Sequence, residues 1–475
     1  MSRTLLPASI ALLAILAATL CAGLAVPALP FPNLIILGAG VAAYMALNVG
    51  ANDVANNMGP TVGARALRLG PALVIAALFD MAGALYAGQS VIGTISTDLL
   101  VRDTGLSGQS LVLVMIAALL AGALWINGST FFGTPVSTTH ALIGGIVGAA
   151  LAAAGTPVVQ WHTVGIIAIS WTASPIIGGV LAAGLHGFIR ERITNQKDKL
   201  AAARVWVPIL IAATCSIFAM YLTILNHHAT VEWVGMLAIG AMTAVLAWGV
   251  AARWVRERSK TLQNRKKQIG LLFRPALIGA AAMLSFAHGA NDVSNAVAPL
   301  VVIYTTLTTV PAGAALAIPL WVMAVGAIGI GLGIVLFGPR VIHTVGEQIT
   351  RLNEIRAFCV ALSASITVLA ASVFGLPVSS THVAVGAVLG VGFLREYLEV
   401  RNMQGAAVPN RARLVDASTL NSTPKQAIAR ERRSERRFLV RRLKALRIGA
   451  AWLVTLPAAA LLAAILYELL SLVLG

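Results

Sequence analysis

GANDVANNMGP at residues 50–60 returns as GANDVSNAVAP at residues 289–299. A second sequence, GTPVSTTH at residues 133–140, returns as GLPVSSTH at residues 375–382. The offsets between the copies are 239 and 242 residues, and the two motifs keep their order along the chain. Two different motifs that repeat in order at nearly one offset indicate an internal duplication.

The composition places most of the duplicated chain in a membrane. Of its 475 residues, 58% are hydrophobic and 11% charged, with a mean hydropathy of +0.86, whereas soluble domains carry about 25% charged residues. A membrane helix needs roughly 20 apolar residues, and we find thirteen candidate segments: 5–26, 33–50, 72–96, 109–127, 139–155, 164–188, 206–225, 231–252, 274–298, 311–338, 357–373, 379–394 and 447–473. We predict an all-α, polytopic membrane protein with about eleven to thirteen membrane segments.

The duplication and the loops divide the chain into six parts. They are an N-terminal extension with an extra membrane helix (1–32), transport repeat 1 (33–188), linker helices with basic cytoplasmic loops (189–273), transport repeat 2 (274–394), a basic cytoplasmic loop (395–446) and a C-terminal membrane helix (447–475). Residues 1–30 could be a signal peptide, but their long apolar run favours a retained helix.

Charge predicts that the two repeats have opposite orientations. Arg65 and Arg68 follow the first Asn-Asp motif, whereas residues 300–312, after the second, contain no Lys or Arg. The other motif shows the reverse, because residues 151–163 lack Lys and Arg and Arg395 opens a basic loop. Since cytoplasmic loops are enriched in Lys and Arg, we predict inverted-topology repeats with broken or re-entrant helices, which are typical of secondary transporters.

The net charge of +17 does not indicate nucleic-acid binding. The basic residues crowd into 253–274 and 395–447, beside apolar segments, as cytoplasmic loops of membrane proteins do. The cysteines lie in apolar stretches without metal-ligand spacing, and we interpret them as small core residues: Cys21, Cys215 and Cys359.

Asp53 and Asp292 occupy equivalent positions in the Asn-Asp motifs, at apparent membrane depth. An Asp at a helix centre costs about 2.5–3.5 kcal/mol on insertion scales. No Lys or Arg lies nearby in either motif, so we expect a bound cation or a proton as the partner of each carboxylate. Helix capping is the alternative role for Asn and Asp, but capping does not require two copies at this depth.

Asparagines accompany each carboxylate at helical spacing. The pairs Asn52 and Asn56, and Asn291 and Asn295, are each four residues apart and so share a helix face. Amide and carboxylate oxygens suit a hard cation. Carbonyls freed by a helix break would add ligands, and we expect such breaks at Gly50, Gly59 and Pro60.

The Pro-Val-Ser motifs predict two helix N-termini. Pro135 and Pro377 end one helix or open the next, and a helix N-terminus offers free N–H groups and a partial positive charge to an anion. Six hydroxyl residues follow: Ser137, Thr138, Thr139, Ser379, Ser380 and Thr381. Capping and helix packing are the alternative roles, but the paired copies favour a site for a tetrahedral oxyanion.

Histidines and one further acid lie beside the motifs. His140 and His382 close the Pro-Val-Ser motifs and could contact substrate, relay protons or be structural. Asp80 is an acid in an apolar run with no partner evident from the sequence. His288 precedes the second Asn-Asp motif, but its counterpart is Val49, so we give it less weight.

At these duplicated motifs the chain resembles the inorganic phosphate transporter (PiT) family of sodium- or proton-coupled phosphate symporters. The resemblance implies inverted repeats and a midplane phosphate site lined by the six hydroxyl residues with Asn52 and Asn291. It also implies cation sites at Asp53, Asn56, Asp292 and Asn295, with sodium on the two carboxylates if sodium is the coupling ion.

We therefore expect a multi-pass protein of the plasma (inner) membrane that imports phosphate with cations by alternating access, without an organic cofactor. The expected partners are inorganic phosphate, coupling cations, the lipid bilayer and, as for many carriers, a second copy in a homodimer. The alternatives are a sulphate permease of the same fold, a metal–phosphate substrate and an anion channel. An enzyme is not expected, because we find no nucleophile–base pair or metal cluster.

Overall fold

The computed structural model describes residues 2–25, 32–101, 106–132, 134, 136–226, 233–308, 318–345, 352–406 and 442–474. Gly133 and Pro135 of the first Pro-Val-Ser motif lie outside the described residues, as does most of the basic loop, 407–441. Within the described ranges the chain is almost entirely helical, and its β pairing consists of one isolated antiparallel bridge between Leu100 and Val159.

The helices follow one another with short connections. They are α1 (Ser2–Ala25), α2 (Pro32–Gly63), α3 (Leu69–Ala87), α4 (Gln89–Thr97), α5 (Gly108–Phe131), α6 (Thr138–Ala154), α7 (Trp161–Ile189), α8 (Lys199–Asn226), α9 (Trp233–Ser259), α10 (Lys266–Leu272), α11 (Arg274–Asp292), α12 (Ser294–Leu307), α13 (Leu320–Val345), α14 (Glu354–Val373), α15 (Ser380–Ala406) and α16 (Arg442–Leu474). A π-helical turn, Arg190–Thr194, extends α7.

The helical, membrane-spanning character predicted from composition is confirmed. Each of the thirteen apolar segments overlaps at least one of these helices. Among the described residues, ten helices are long and apolar enough to cross a membrane, or eleven if α10 and the helical stretch Arg274–Leu307, bent by 53° against each other, form one span. The helix α6 has only 17 residues and is too short for a full crossing.

The expected helix breaks in the first Asn-Asp motif are absent. The helix α2 runs without interruption from Pro32 to Gly63 and includes Gly50, Gly59 and Pro60. Pro60 lies in the last turn, where little helix remains to be disturbed. The second motif is interrupted only at Val293, whose backbone is still helical (φ −58°, ψ −30°). The carbonyls around both motifs are therefore largely held within helices.

Gly50 serves helix packing instead. A Cβ on Gly50 would lie 2.1 Å from the carbonyl oxygen of Ile330, and one on Gly289 would lie 2.0 Å from that of Asp80. The helix α2 thus packs closely along α13, and α11 along α3. Each first helix of one repeat is paired with a helix of the other, so the packing is reciprocal.

The helices that follow the two Pro-Val-Ser motifs, α6 and α15, also pack in corresponding ways. The helix α6 packs along α16, and α15 packs along α7. A Cβ on Gly148 would lie 2.1 Å from the carbonyl oxygen of Ala460, and one on Gly390 would lie 2.1 Å from that of Gly179. The C-terminal helix α16 therefore holds against α6 the position that α7 holds against α15.

Gly333→Ala is expected to destabilise the protein. The new Cβ would lie 2.1 Å from the carbonyl oxygen of Leu47, and relieving such an overlap costs about 1–3 kcal/mol. The measurement is the thermal unfolding midpoint in detergent. Gly249→Ala is the control, because Gly249 lies inside α9 with open space around it, so Ala should be neutral or raise the midpoint. Equal midpoints for both variants would contradict the close helix contact.

Candidate functional site

Asp53 lies fully buried at the point where both Pro-Val-Ser motifs meet α2. Its carboxylate accepts hydrogen bonds from Thr138 Oγ1 (3.1 Å), at the start of α6, and from Thr381 Oγ1 (3.0 Å), in the first turn of α15. Asn56 Nδ2 also donates to it (3.2 Å). The carboxylate of repeat 1 therefore binds hydroxyls at the N-termini of α6 and α15, one from each repeat.

Asp292, its counterpart, is also fully buried. Its Oδ2 atom accepts a hydrogen bond from Ser380 Oγ (2.6 Å) and lies 3.0 Å from His288 Nε2. Its Oδ1 atom is buried with no hydrogen-bond partner among the described residues. The two carboxylates thus differ in their surroundings, although their motifs are equivalent in sequence.

The asparagines divide into two kinds. Asn56 Nδ2 donates to Thr381 Oγ1 (2.8 Å), and Asn295 Nδ2 donates to Thr138 and Thr139 Oγ1 (both 3.3 Å), so these two cross between repeats. Asn291 instead bonds to Ser372 Oγ and the carbonyl of Leu376, and its Oδ1 accepts from the backbone N–H of Val378.

Asn52 resembles Asn291, since its Nδ2 donates to Thr130 Oγ1 at the end of α5 (2.8 Å). Both asparagines were expected to line the phosphate site. The structure places them beside the aspartates, where they hold the preceding helix ends. Among the described residues, the Oδ1 of Asn52 has no hydrogen-bond partner.

The first hydroxyl of each Pro-Val-Ser motif caps a helix. Ser137 Oγ accepts the backbone N–H of His140 (3.1 Å), and Ser379 Oγ accepts that of His382 (3.3 Å). The capping alternative therefore holds for these two serines. Of the four hydroxyls that follow, those of Thr138, Ser380 and Thr381 donate to the aspartates. The hydroxyl of Thr139 donates to the carbonyl of Val378 (3.2 Å).

The fully buried ring of His288 lies at the centre of the carboxylates. Its Nδ1 contacts Asp80 Oδ1, and its Nε2 lies 3.0 Å from Asp292 Oδ2 and 3.4 Å from Asp53 Oδ2. The sequence analysis gave His288 little weight and left Asp80 without a partner. It also expected a cation or a proton to be the natural partner of the carboxylates, whereas they share this imidazole.

Two sequence features pointed to this cluster. His288 lies four residues before Asp292, on the same helix face, and Asp80 is an acid at membrane depth that requires a partner. Three carboxylates face one imidazole, so with all three ionised and the imidazole protonated the cluster has two negative charges in excess. Unbalanced buried charge of this size needs compensation.

Orphaned oxygens around the cluster fit cations. Among the described residues, the buried side-chain oxygens without a hydrogen-bond partner include Asn52 Oδ1, Asn57 Oδ1, Asp292 Oδ1 and Asn295 Oδ1. All four are acceptors, and hard cations take carboxylate and amide oxygens as ligands. In addition, ligand atoms of Asp53, His288 and Asp292 lie within 4.8 Å of one another, as metal ligands do.

His140 and His382 pack against each other, with ring centroids 4.5 Å apart. Trp171 of α7 lies 3.9 Å from the His140 ring, and Trp452 of α16 lies 3.7 Å from the His382 ring. Both His140 nitrogens and His382 Nε2 are buried without a partner among the described residues. The hydrogen bonds and ion pairs of the described residues link neither ring to the aspartates, so a contact with substrate or a proton stays a prediction.

Comparison with known proteins agrees with this arrangement. Residues 49–463 match the model of the phosphate transporter family. A protein of Helicobacter pylori (strain J99) named "Putative phosphate permease" is 41% identical over 479 aligned residues, which cover 92% of this chain and 90% of that protein. A protein of the same description from Thermococcus kodakarensis is 36% identical, with coverage of 76% and 88%.

A solved structure shares the fold. The structure titled "The sodium-dependent phosphate transporter" superposes with a TM-score of 0.78 at 31% identity and covers 93% of this chain and 100% of that one. The resemblance drawn from the two duplicated motifs is confirmed by these matches, which are to transporters and not to enzymes. With its multi-pass helical fold and its buried cluster of carboxylates, hydroxyls and amides, the chain belongs to the phosphate transporter family.

Proposed function

We propose that this protein imports inorganic phosphate across the plasma (inner) membrane by symport with cations, sodium ions or protons. The observation that carries the proposal is the direct bonding of the Pro-Val-Ser hydroxyls to the two aspartates. The expected anion site and the expected cation site are therefore neighbours that share the same hydrogen bonds.

Sharing these bonds couples the two ligands. The hydroxyls of Thr138, Thr381 and Ser380 donate to carboxylates, and a hydroxyl that does so is not available to an anion. A cation bound to the carboxylate oxygens, or a proton there, takes over the compensation of negative charge. The hydroxyl donors can then turn to phosphate, and the nearby cation offsets the charge of the anion. Phosphate affinity should therefore rise with cation concentration, and the reverse follows by linkage.

Coupling is also required energetically. A monovalent anion moving inward against ~100 mV costs about 2.3 kcal/mol, and a divalent phosphate about twice that. Two carboxylates support at least two coupled cations, which would neutralise a divalent phosphate. A third cation would make uptake electrogenic.

Alternating access by inverted repeats is the movement that we propose. The reciprocal packing of α2 with α13 and α3 with α11, and of α6 with α16 and α15 with α7, supports two related halves. Bonds between the halves, such as Thr381 to Asp53 and Asn295 to Thr138, meet at the site itself. Rocking of one half against the other would therefore open the site from one side or the other.

The test is radiolabelled phosphate uptake into proteoliposomes under an imposed sodium gradient and, separately, an imposed proton gradient. We expect accumulation above the external concentration under one of them, which would identify the coupling ion. Sulphate competition separates the phosphate carrier from a sulphate permease of the same fold. Phosphate flux that only runs downhill and ignores both gradients would refute symport and favour a channel.

Thr381→Val is expected to raise the apparent KM for phosphate roughly tenfold, because one hydroxyl donor to a charged partner contributes about 1.5–3 kcal/mol. The volume changes little, but Asp53 and Asn56 each lose a buried partner, so the amount of folded, inserted protein is determined for each variant. Initial uptake rates over a range of phosphate concentrations measure the effect. Thr305→Val is the matched control, since the hydroxyl of Thr305 bonds only to carbonyls of its own helix, α12. An unchanged KM for Thr381→Val would exclude this hydroxyl from the phosphate site.

A further inference from the structure

A cavity of about 320 Å³ that is lined by basic side chains lies at the opposite ends of the helices that frame the carboxylate cluster. It is lined by residues of the α7 end, α10, α14 and α15: His186, Arg190, Thr194, Lys266, Asn353, Ile355, Arg356, Arg395 and Glu399. Arg395 is fifteen residues after Ser380 along α15, so roughly 22 Å of helix separates it from the cluster. The cavity is therefore a separate site.

Positive charge dominates this cavity. Four cationic side chains line it against the single carboxylate of Glu399, whose Oε1 is 3.8 Å from Arg395 Nη2. Among the described residues, neither Arg190, Arg356 nor Lys266 forms an ion pair with a carboxylate. Like charges held together in a half-buried space repel one another, so an anion would stabilise the arrangement.

His186 strengthens this interpretation. Its Nδ1 atom is buried and has no hydrogen-bond partner in the part of the chain that the structure describes. Arg190, Arg356 and Arg395 line the same cavity as this ring, so their charges face one shared space. Nitrogen atoms able to donate therefore surround this space, with one carboxylate to oppose them.

The backbone around the cavity is also suited to an anion. Arg190–Thr194 forms a π-helical turn, a rare form that is frequent at functional sites. Asn353 caps α14, so the N-terminal end of that helix dipole contributes positive potential. Arg356 Nε bonds to Asn353 Oδ1, which holds the guanidinium in place at this helix end.

We propose that this cavity binds a phosphate group that is not the transported one. Guanidinium groups bind phosphate oxygens in pairs, and a tetrahedral anion with several oxygens can contact several cations at once. The phosphate would belong either to an anionic lipid of the adjacent leaflet or to soluble phosphate. The surrounding basic loops make this side cytoplasmic by the positive-inside rule, and the cytoplasmic leaflet is the anionic one.

Binding here would connect helices that meet at the transport site. The cavity joins α7, α14 and α15 to α10, which precedes α11 with its residues His288 and Asp292. Trp171 of α7 donates to the carbonyl of Pro377, just before α15. An anion in the cavity would therefore hold together the far ends of the helices that present the hydroxyls and one of the carboxylates.

The test compares three purified proteins: the wild type, Arg190→Gln/Arg356→Gln, and the matched control Arg253→Gln/Arg258→Gln. The control removes two exposed arginines of α9 outside the cavity. The thermal unfolding midpoint is measured at increasing concentrations of dihexanoyl phosphatidic acid or of inorganic phosphate. Dihexanoyl phosphatidylcholine, which has no net charge, is the reference. Ligands that bind only the folded state raise the midpoint saturably.

We expect a saturable rise in the wild type and the control, and an apparent affinity at least roughly tenfold weaker in the cavity variant. A difference seen with phosphatidic acid identifies a lipid, and one seen only with inorganic phosphate identifies a soluble ligand. Phosphate binding at the transport site should raise the midpoint equally in all three proteins, so it cancels when their shifts are compared.

Equal shifts in all three proteins with both anionic probes would overturn the proposal. If the glutamine variant fails to fold, Asp53→Asn, which disables the transport site, takes its place. Phosphatidic acid must then stabilise Asp53→Asn more than phosphatidylcholine does, or inorganic phosphate must raise its midpoint. Arg190→Lys/Arg356→Lys, which keeps the charges, should retain part of the shift.

Discussion

Asp53→Asn is expected to lower cation-driven phosphate uptake by roughly a hundredfold, and Asp292→Asn by a similar factor. Each carboxylate holds at least two strong partners: Thr138 and Thr381 for Asp53, Ser380 and His288 for Asp292. Hydrogen bonds to a charged group contribute about 1.5–3 kcal/mol each. An amide loses one acceptor atom and the negative charge that a cation needs.

The measurement is uptake into proteoliposomes over a range of coupling-ion concentrations, with the amount of inserted protein determined for each variant. Loss of a cation site should flatten or shift the cation dependence, whereas a purely structural role would lower the amount of folded protein and leave that dependence unchanged. Glu257→Gln is the control, because Glu257 is exposed and pairs only with exposed Lys260. If either Asp variant is correctly inserted and still accumulates phosphate as the wild type does, the proposed cation role of that carboxylate is wrong.

Much of this site could be predicted from the duplicated motifs. Their hydroxyls and carboxylates meet, as expected, because each motif lies at a helix end or helix face that the fold brings to the same level. Bonds such as Thr381 to Asp53 join residues 328 positions apart, and only the repetition of both motifs indicated that contact. The residues expected to bind cations and those expected to bind the anion are therefore neighbours, and their roles stay predictions.

The sequence was misleading where one residue type serves two purposes. Gly50 was interpreted as a helix breaker, but α2 is continuous there and the missing side chain admits the carbonyl of Ile330. Asn291 was expected to line the phosphate site. Three hydrogen bonds hold it to the segment before α15, and its contact with phosphate stays a prediction. Glycine is favoured both where a helix breaks and where two helices pack closely. Asparagine is favoured both as a ligand and as a partner of helix ends, so the spacing of these residues does not show which role they have.

His288 was missed for a different reason. The comparison of repeats gave weight to what both copies share, and His288 corresponds to Val49. The partner of His288, Asp80, lies 208 residues away in sequence. Asp80 lies against Gly289 as Ile330 lies against Gly50, so the corresponding pair in the other half is apolar: Val49 and Ile330. The asymmetry between the halves, and not their likeness, marks this part of the site.

That asymmetry leads to the second large effect. His288→Val is expected to lower the free energy of unfolding by about 3–5 kcal/mol, since removal of one partner leaves a buried charge uncompensated. Asp80 would keep only a 3.5 Å contact with Asn57 Nδ2. Adding Asp80→Ile recreates the apolar pair of the other half, and replacing a buried ionic pair by packed apolar groups is often neutral. The double variant should therefore recover most of the lost stability.

Uptake should not recover with it. In the double variant Asp53 and Asp292 still lack the imidazole that lies 3.4 and 3.0 Å from their oxygens, so their mutual repulsion is relieved only by bound cations. Thermal unfolding and gradient-driven uptake, measured on both variants, separate the two roles. Normal phosphate uptake by the stable double variant would show that His288 contributes to packing and not to transport. A double variant as unstable as the single one would show that the pair also supports structure that Val and Ile cannot replace, since the two halves would then differ in more than their charges.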